Sequence, residues 1–150
     1  MATRSPYSVH PGFARMGNKG KALEELEQEY LAEIPQMVEG QFAGPKAELR
    51  PLYEQLLAVC LAAGKEAKAV PAKTQVAIYR KHVIANIKIA TKTRIDFGLS
   101  LGNMKTPARL KDTGGYQKKD RITRRIEITS QDDIDADLKK WLKTAYDLDD

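Results

Sequence analysis

The chain is poor in the residues that usually announce chemistry. It has one cysteine, Cys60, so no internal disulfide and no cysteine metal cluster can form, and a reducing cytoplasm is the expected setting. Its two histidines, His10 and His82, stand far apart. Neither joins an acidic stretch at helical spacing, so neither a metal site nor a cofactor is expected. No run approaches the ~20 apolar residues that cross a bilayer, which excludes a membrane-spanning helix. The opening stretch MATRSPYSVHPG lacks an apolar core and is not expected to act as a secretory signal. Aromatics make up 7% of the chain, and only Tyr79 and Tyr116 fall among basic strand or loop residues, a poor basis for stacking single-stranded nucleic acid.

Charge is what the chain has in quantity, and it is unevenly placed. From Gly64 to Arg125 there are sixteen lysines and arginines against four acids, a net of +12. The whole chain carries +5, which leaves −7 for the rest. Acidic helices flanking a basic sheet would direct a field from one side of the molecule. A length of 150 residues suits one ordinary domain with a core burying roughly 70% of the unfolded surface.

Taken in order, Met1–Asn18 reads as an irregular arm with a short turn around Phe13–Met16. A helix is expected from about Gly20 to Val38 on a stripe of Leu23, Leu26, Tyr30, Ile34, Met37 and Val38, with a solvated glutamate face, ending or bending near Ile34 because Pro35 follows. A second helix starts at Pro45 or Pro51 and carries Leu49, Leu52, Tyr53, Leu56, Leu57, Cys60 and Leu61. Strands are expected at about Thr74–Arg80, His82–Ala90 and Thr93–Leu101, as an antiparallel meander. In the third, Ile95, Phe97, Leu99 and Leu101 point one way and Arg94, Asp96, Gly98 and Ser100 the other. In the second, Val83, Ala85, Ile87 and Ile89 alternate with His82, Ile84, Asn86 and Lys88. Gly102–Lys119 is a long aperiodic loop. Arg121–Thr129 resumes alternation with Ile122, Ile126 and Ile128 inward, which turns Arg124 inward too. That arginine reads either as a strand-end residue whose head reaches water or as a pocket-lining cation. Ser130 then caps a helix on Ile134, Leu138, Trp141, Leu142 and Ala145, with Trp141 as its core anchor. The fold class is α+β: an antiparallel sheet of about four or five strands, a meander plus one later strand, packed on two N-terminal helices and one C-terminal helix.

The stretches KTRIDFGLSL, DTGGYQKKDRIT and DADLKKWLKTAYD together resemble a bacterial family of uncharacterised domains, over roughly Glu48–Leu148. The arm Tyr7–Gly12 resembles the start of a second uncharacterised domain that often precedes it. The resemblance implies an α+β fold and no established activity. It divides the chain into residues 1–44, an arm and acidic helix left from the preceding domain, and residues 45–150, the α+β domain. Two positions depart from the family pattern. Val70 and Ala72 replace a frequent cysteine pair, and Arg124 replaces a frequent histidine, so redox, metal or histidine chemistry at those places is not carried over.

Arg80, His82, Lys88, Arg94, Asp96, Arg121 and Arg124, with Thr113, Gly114, Gly115 and Lys119 from the loop, are the candidate ligand-binding residues. Glycines let backbone N–H groups approach an anion, a threonine adds a donor, and arginine grips phosphate or carboxylate with two parallel bonds. The GxxxxGK[ST] spacing of a phosphate loop is missing. The plain alternative pairs Arg94 and Asp96 with neighbours on a solvated face. Three function classes follow: a module binding an anionic small molecule or nucleic acid, an enzyme with Asp96 or His82 as base, and a homodimeric interaction domain in which a basic face meets acidic helices.

Overall fold

The period of two through the middle third builds a six-stranded antiparallel sheet, in a computed structural model that describes residues 6–8 and 23–150. His10 and the turn expected at Phe13–Met16 lie outside the described residues, as do the side chains of residues 23–27 and 29–30. The strands are β1 (Lys68–Pro71), β2 (Val76–Tyr79), β3 (Val83–Ile89), β4 (Ile95–Leu99), β5 (Lys111–Asp112) and β6 (Arg124–Ile128), in the spatial order β1-β2-β3-β4-β6-β5. Helices α1 (Leu23–Gly40) and α2 (Arg50–Leu61) precede the sheet, a 3₁₀ helix at Gly44–Leu49 joins them, and α3 (Ala136–Leu148) follows. The expected α+β class and helix order hold, with one more strand than the upper expectation.

Register sorts the sheet into two faces. One row runs Pro71, Val76, Ile87, Phe97, Ile126 across five strands, and a parallel row runs Ile89, Ile95, Ile128. Val76, Ile87, Phe97 and Ile126 have no exposed surface. They meet Leu52, Tyr53, Leu56 and Leu57 of α2 and Leu138, Leu142 and Ala145 of α3 in one core that also takes Ile34 and Val38 of α1.

Strict alternation fails once. Tyr79 pairs with Val83 whereas Ile78 pairs with Ala85, so Ile84 is an extra residue on β3, and both Ile84 and Ala85 are fully buried. This bulge turns Val83 to the face opposite Ala85, correcting the simple alternation expected for that strand.

Of the end or bend expected near Ile34, the end is excluded, since helix α1 runs through Pro35 to Gly40. A proline inside a helix costs about 3 kcal/mol or more; Ile34 and Val38, both 2% exposed, anchor the helix on either side of it. The amide of Gln41 then donates to Ala72 O at 2.7 Å and ties the end of α1 to the β1–β2 turn. At the other end of the chain, Ser130 opens a 3₁₀ turn, and the cap of α3 is Asp135, whose side chain accepts from Leu138 N. Trp141 is half-buried at the core's edge, so Leu138, Leu142, Ala145 and Tyr146 are the anchors of α3 instead.

Candidate functional site: the open face of the sheet

The face turned from the helices follows from the same register. Val70, Ala77, Asn86, Gly98, Arg125 and Lys111 form a row across all six strands. Lys68, Tyr79 and Val83 flank it on one side, and Lys88, Asp96 and Glu127 on the other. The row is low in the middle because of Gly98. A Cβ there would stand 2.2 Å from Asn86 Oδ1 and 2.7 Å from Ile122 Cγ2, so glycine is what lets Ile122 cross β4. Two adjoining hollows result, of about 580 and 270 Å³, sharing Gln75, Asn86, Thr113 and Ile122. Val70, Ala77, Tyr79 and Val83 bound the larger; Lys88, Asp96 and Arg125 bound the smaller. Asn86 is fixed between them, donating to Gln75 Oε1 at 3.2 Å and accepting from Gly98 N at 3.1 Å.

Around this trough the charges alternate. Arg94 Nε donates to Asp96 Oδ1 at 2.9 Å; Arg125 lies 4.0 Å from the other Asp96 oxygen and 3.6 Å from Glu127, which accepts from Lys111 Nζ at 2.9 Å. The hydrogen bond from Lys111 holds the Glu127 carboxyl below its usual range. Lys88, opposite Asp96 in register, is exposed and makes no ion pair with a described residue.

That contrast extends through the basic segment. All six of its arginines are ion-paired: Arg80 with Glu66 and Asp150, Arg94 with Asp96, Arg109 with Asp135, Arg121 with Asp149, Arg124 with Asp112, and Arg125 with Asp96 and Glu127. Of its ten lysines only Lys111 is paired with a described residue, and the other nine side chains are exposed. A planar fork suits fixed multidentate ties, whereas a flexible ammonium stays hydrated at the surface.

A second cluster lies where α3 ends. The carboxylate of Asp149, 5% exposed, accepts from His82 N at 2.6 Å and Lys81 N at 2.8 Å, lies 2.7 Å from His82 Nδ1, and accepts from Arg121 at 3.3 Å. Burial raises the carboxyl's pKa, and the hydrogen bonds from His82 and Lys81 more than offset it, leaving the group below its ordinary value. Arg80 makes the neighbouring tie, donating to Tyr146 O at 2.9 Å with its guanidinium 4.3 Å over the Tyr146 ring.

The eleven sequence candidates therefore occupy several places instead of one concave site. Lys88, Asp96 and Thr113 line the trough, Arg94 braces it through Asp96, and Arg121 sits at one end of it. Arg80, His82 and Arg121 hold the end of α3. The Thr113–Gly114–Gly115 turn uses its own donors: Gly114 N binds Asp112 Oδ1 at 2.8 Å and Gly115 N binds Thr113 Oγ1 at 3.1 Å, so these N–H groups are not offered to an anion. Gly115 is required for close approach, since a Cβ would lie 2.0 Å from Ile122 O. Lys119 follows in the left-handed region at φ 61°. Arg124 is on the helix-side face, 7% exposed, donating to Met104 O, Thr123 O and Thr106 Oγ1; its head neither reaches water nor lines the trough.

Sequence reasoning missed Gln75, Asn86 and Arg125, and it turned Ile122 inward with Ile126 and Ile128, whereas Ile122 precedes β6 and crosses the open face over Gly98. The available signal was an asparagine inside one strand and a glycine inside another, two residues that strands disfavour without a local reason. For acid–base chemistry, Asp96 and His82 belong to different clusters and each is engaged by its own partner. The Cys60 thiol is fully buried and burial pushes its pKa up, as suits an inert core residue. Among the described residues no three His, Cys, Asp or Glu side chains come together as metal ligands, and no helix is long and apolar enough to cross a membrane.

No curated protein and no solved structure matches this chain. Residues 38–149, from the last turns of α1 to the Asp149 cluster, match the model of a domain of unknown function, DUF5655. By this match over most of its length, the chain belongs to the DUF5655 family.

Proposed function

We propose that the protein is a binding module for an anionic small molecule, held in the trough on the open sheet face. The carrying observation is the juxtaposition there of an apolar hollow bounded by Val70, Ala77, Tyr79 and Val83 with a polar one bounded by Lys88, Arg125 and Asp96, the two sharing Asn86 and Gln75. A phosphorylated compound with a flat apolar body matches both halves: the body rests against Tyr79 and Ile122, and the phosphate meets Lys88. The nine exposed lysines that no described residue pairs add a long-range attraction for such a ligand. Among anionic partners a small molecule is favoured over nucleic acid because the trough is short and Tyr79 is the one aromatic among the described residues that line it.

The test is a titration with ATP, inorganic pyrophosphate and a single-stranded oligonucleotide, followed by amide chemical shifts at low and moderate salt. The expected result is ATP-induced shifts at Gln75, Asn86 and Gly98, lost in Lys88→Glu. Oligonucleotide binding with a steep linear log–log salt dependence would replace the small-molecule reading with a nucleic-acid one. Absence of binding by all three probes would overturn the proposal.

A further inference from the structure

The two large apolar side chains that stand most exposed, Tyr116 at 50% and Leu148 at 59%, line the same groove. The groove holds about 1050 Å³ and lies between the segment after β4, the loop before β6 and the end of α3. Leu101 and Ala145, both 1% exposed, form apolar floor. Asp120 and Arg121 also line the sheet trough and so stand between the two concavities.

The walls are fixed. Lys118 N and Asp120 N both donate to Gly115 O, Lys119 N donates to Tyr116 O, and Arg121 bridges Val83 O and Asp149, the residue after Leu148. Tyr116 and Leu148 are therefore held out in water by a braced framework that does not let them fold onto the core. Paired exposed apolar groups on a rigid groove mark an interaction surface. The charge around them decides the partner. Lys119 lines the groove, Lys105 and Lys118 adjoin lining residues, and none of the three is paired with a described residue; of the acids, Asp120 is in the lining, and Asp147, Asp149 and Asp150 beside Leu148 are engaged by Lys143, Arg121 and Arg80. Aliphatic floor and wall groups at Leu101, Met104, Ala145 and Leu148 favour branched side chains over stacked bases.

We propose that this groove docks an acidic amphipathic helix of another protein, its apolar side chains seated between Tyr116 and Leu148 and its carboxylates facing Lys105, Lys118 and Lys119. The site is separate from the trough proposed above.

The experiment uses the full chain and a fluorescent model helix of leucine and glutamate at helical spacing, read by anisotropy. A counterpart with lysine for glutamate and a labelled single-stranded oligonucleotide serve as competing probes. Binding of the acidic helix alone is expected. Tyr116→Ala and Leu148→Ala should each weaken it roughly tenfold, Lys119→Glu should weaken it and flatten its salt dependence, and Lys88→Glu should leave it unchanged. Since Tyr116 and Leu148 are half or more exposed, unaltered denaturation midpoints are expected to show that both variants fold. The proposal is overturned if the acidic helix fails to bind, if the lysine counterpart binds as well, if the Tyr116 and Leu148 variants bind like the parent, or if the oligonucleotide alone binds. Self-association in sedimentation that Leu148→Ala abolishes would assign the groove to a second copy of this chain and equally overturn it.

Discussion

The two faces of one sheet use the same strands for different ends. On the helix side, the rows through Phe97 and Ile95 are dry and apolar, and the one cation, Arg124, has its donors taken by loop oxygens. On the open side, the row through Asn86 and Gly98 is small and polar in the middle, framed by compensating charges and left open by the described residues over two hollows. Burial of apolar surface supplies most of the stability of a fold, whereas exposed ion pairs contribute little. Substitutions on the first face should therefore unfold the protein, and those on the second should change what it binds.

The largest expected effect is Phe97→Ala, which empties the centre of the core; a loss of about 3–5 kcal/mol is expected in urea denaturation. Next is Asp149→Asn, where a buried acceptor of two backbone N–H groups weakens and about 2 kcal/mol is expected to be lost. This residue also sets a pH dependence. Its folded carboxyl lies below the ordinary aspartate value of about 3.9, so the unfolded chain takes up the proton first as pH falls. The stabilisation is complete above that ordinary value and is lost as pH drops through the folded one. Denaturation midpoints measured from neutral to acid pH should thus fall less steeply in the Asn variant. Arg94→Gln on the open face should cost under about 1 kcal/mol, because its partner Asp96 keeps Arg125 nearby. A loss there as large as that of Phe97→Ala would break the contrast between the faces. Lys88→Glu sets a second carboxylate opposite Asp96 and should cost under about 1 kcal/mol, while removing ligand-induced shifts.

Legibility in the sequence followed the range of the interactions. The clean alternation of Ile95, Phe97, Leu99 and Leu101 and the stripe of α3 are local periodicities, and both stand as read, apart from Trp141, which lies at the core's edge. Strand β1 was hidden because KAVP is too short to show a period, and β5 because two residues show none. The bulge at Ile84 left no mark, since every residue around it is apolar enough for either face. Arginine roles were least legible: Arg80 meets Tyr146, and Arg121 meets Asp149, partners brought close only by the fold. Charge counting located the basic segment but could not tell that its arginines are spent on structure while nearly all its lysines remain at the surface. Lys88 and Asp96 were named from sequence; Asn86, Ile122 and Arg125, which shape the hollow around them, needed the register.

The division between a stabilising face and a binding face is tested most directly by amide chemical-shift mapping of ATP on the parent and on Lys88→Glu. Shifts concentrated at Gln75, Asn86 and Gly98 in the parent, absent in a variant that stays folded, are the predicted result. Shifts that persist in Lys88→Glu, or that cluster on residues remote from the trough, would contradict it.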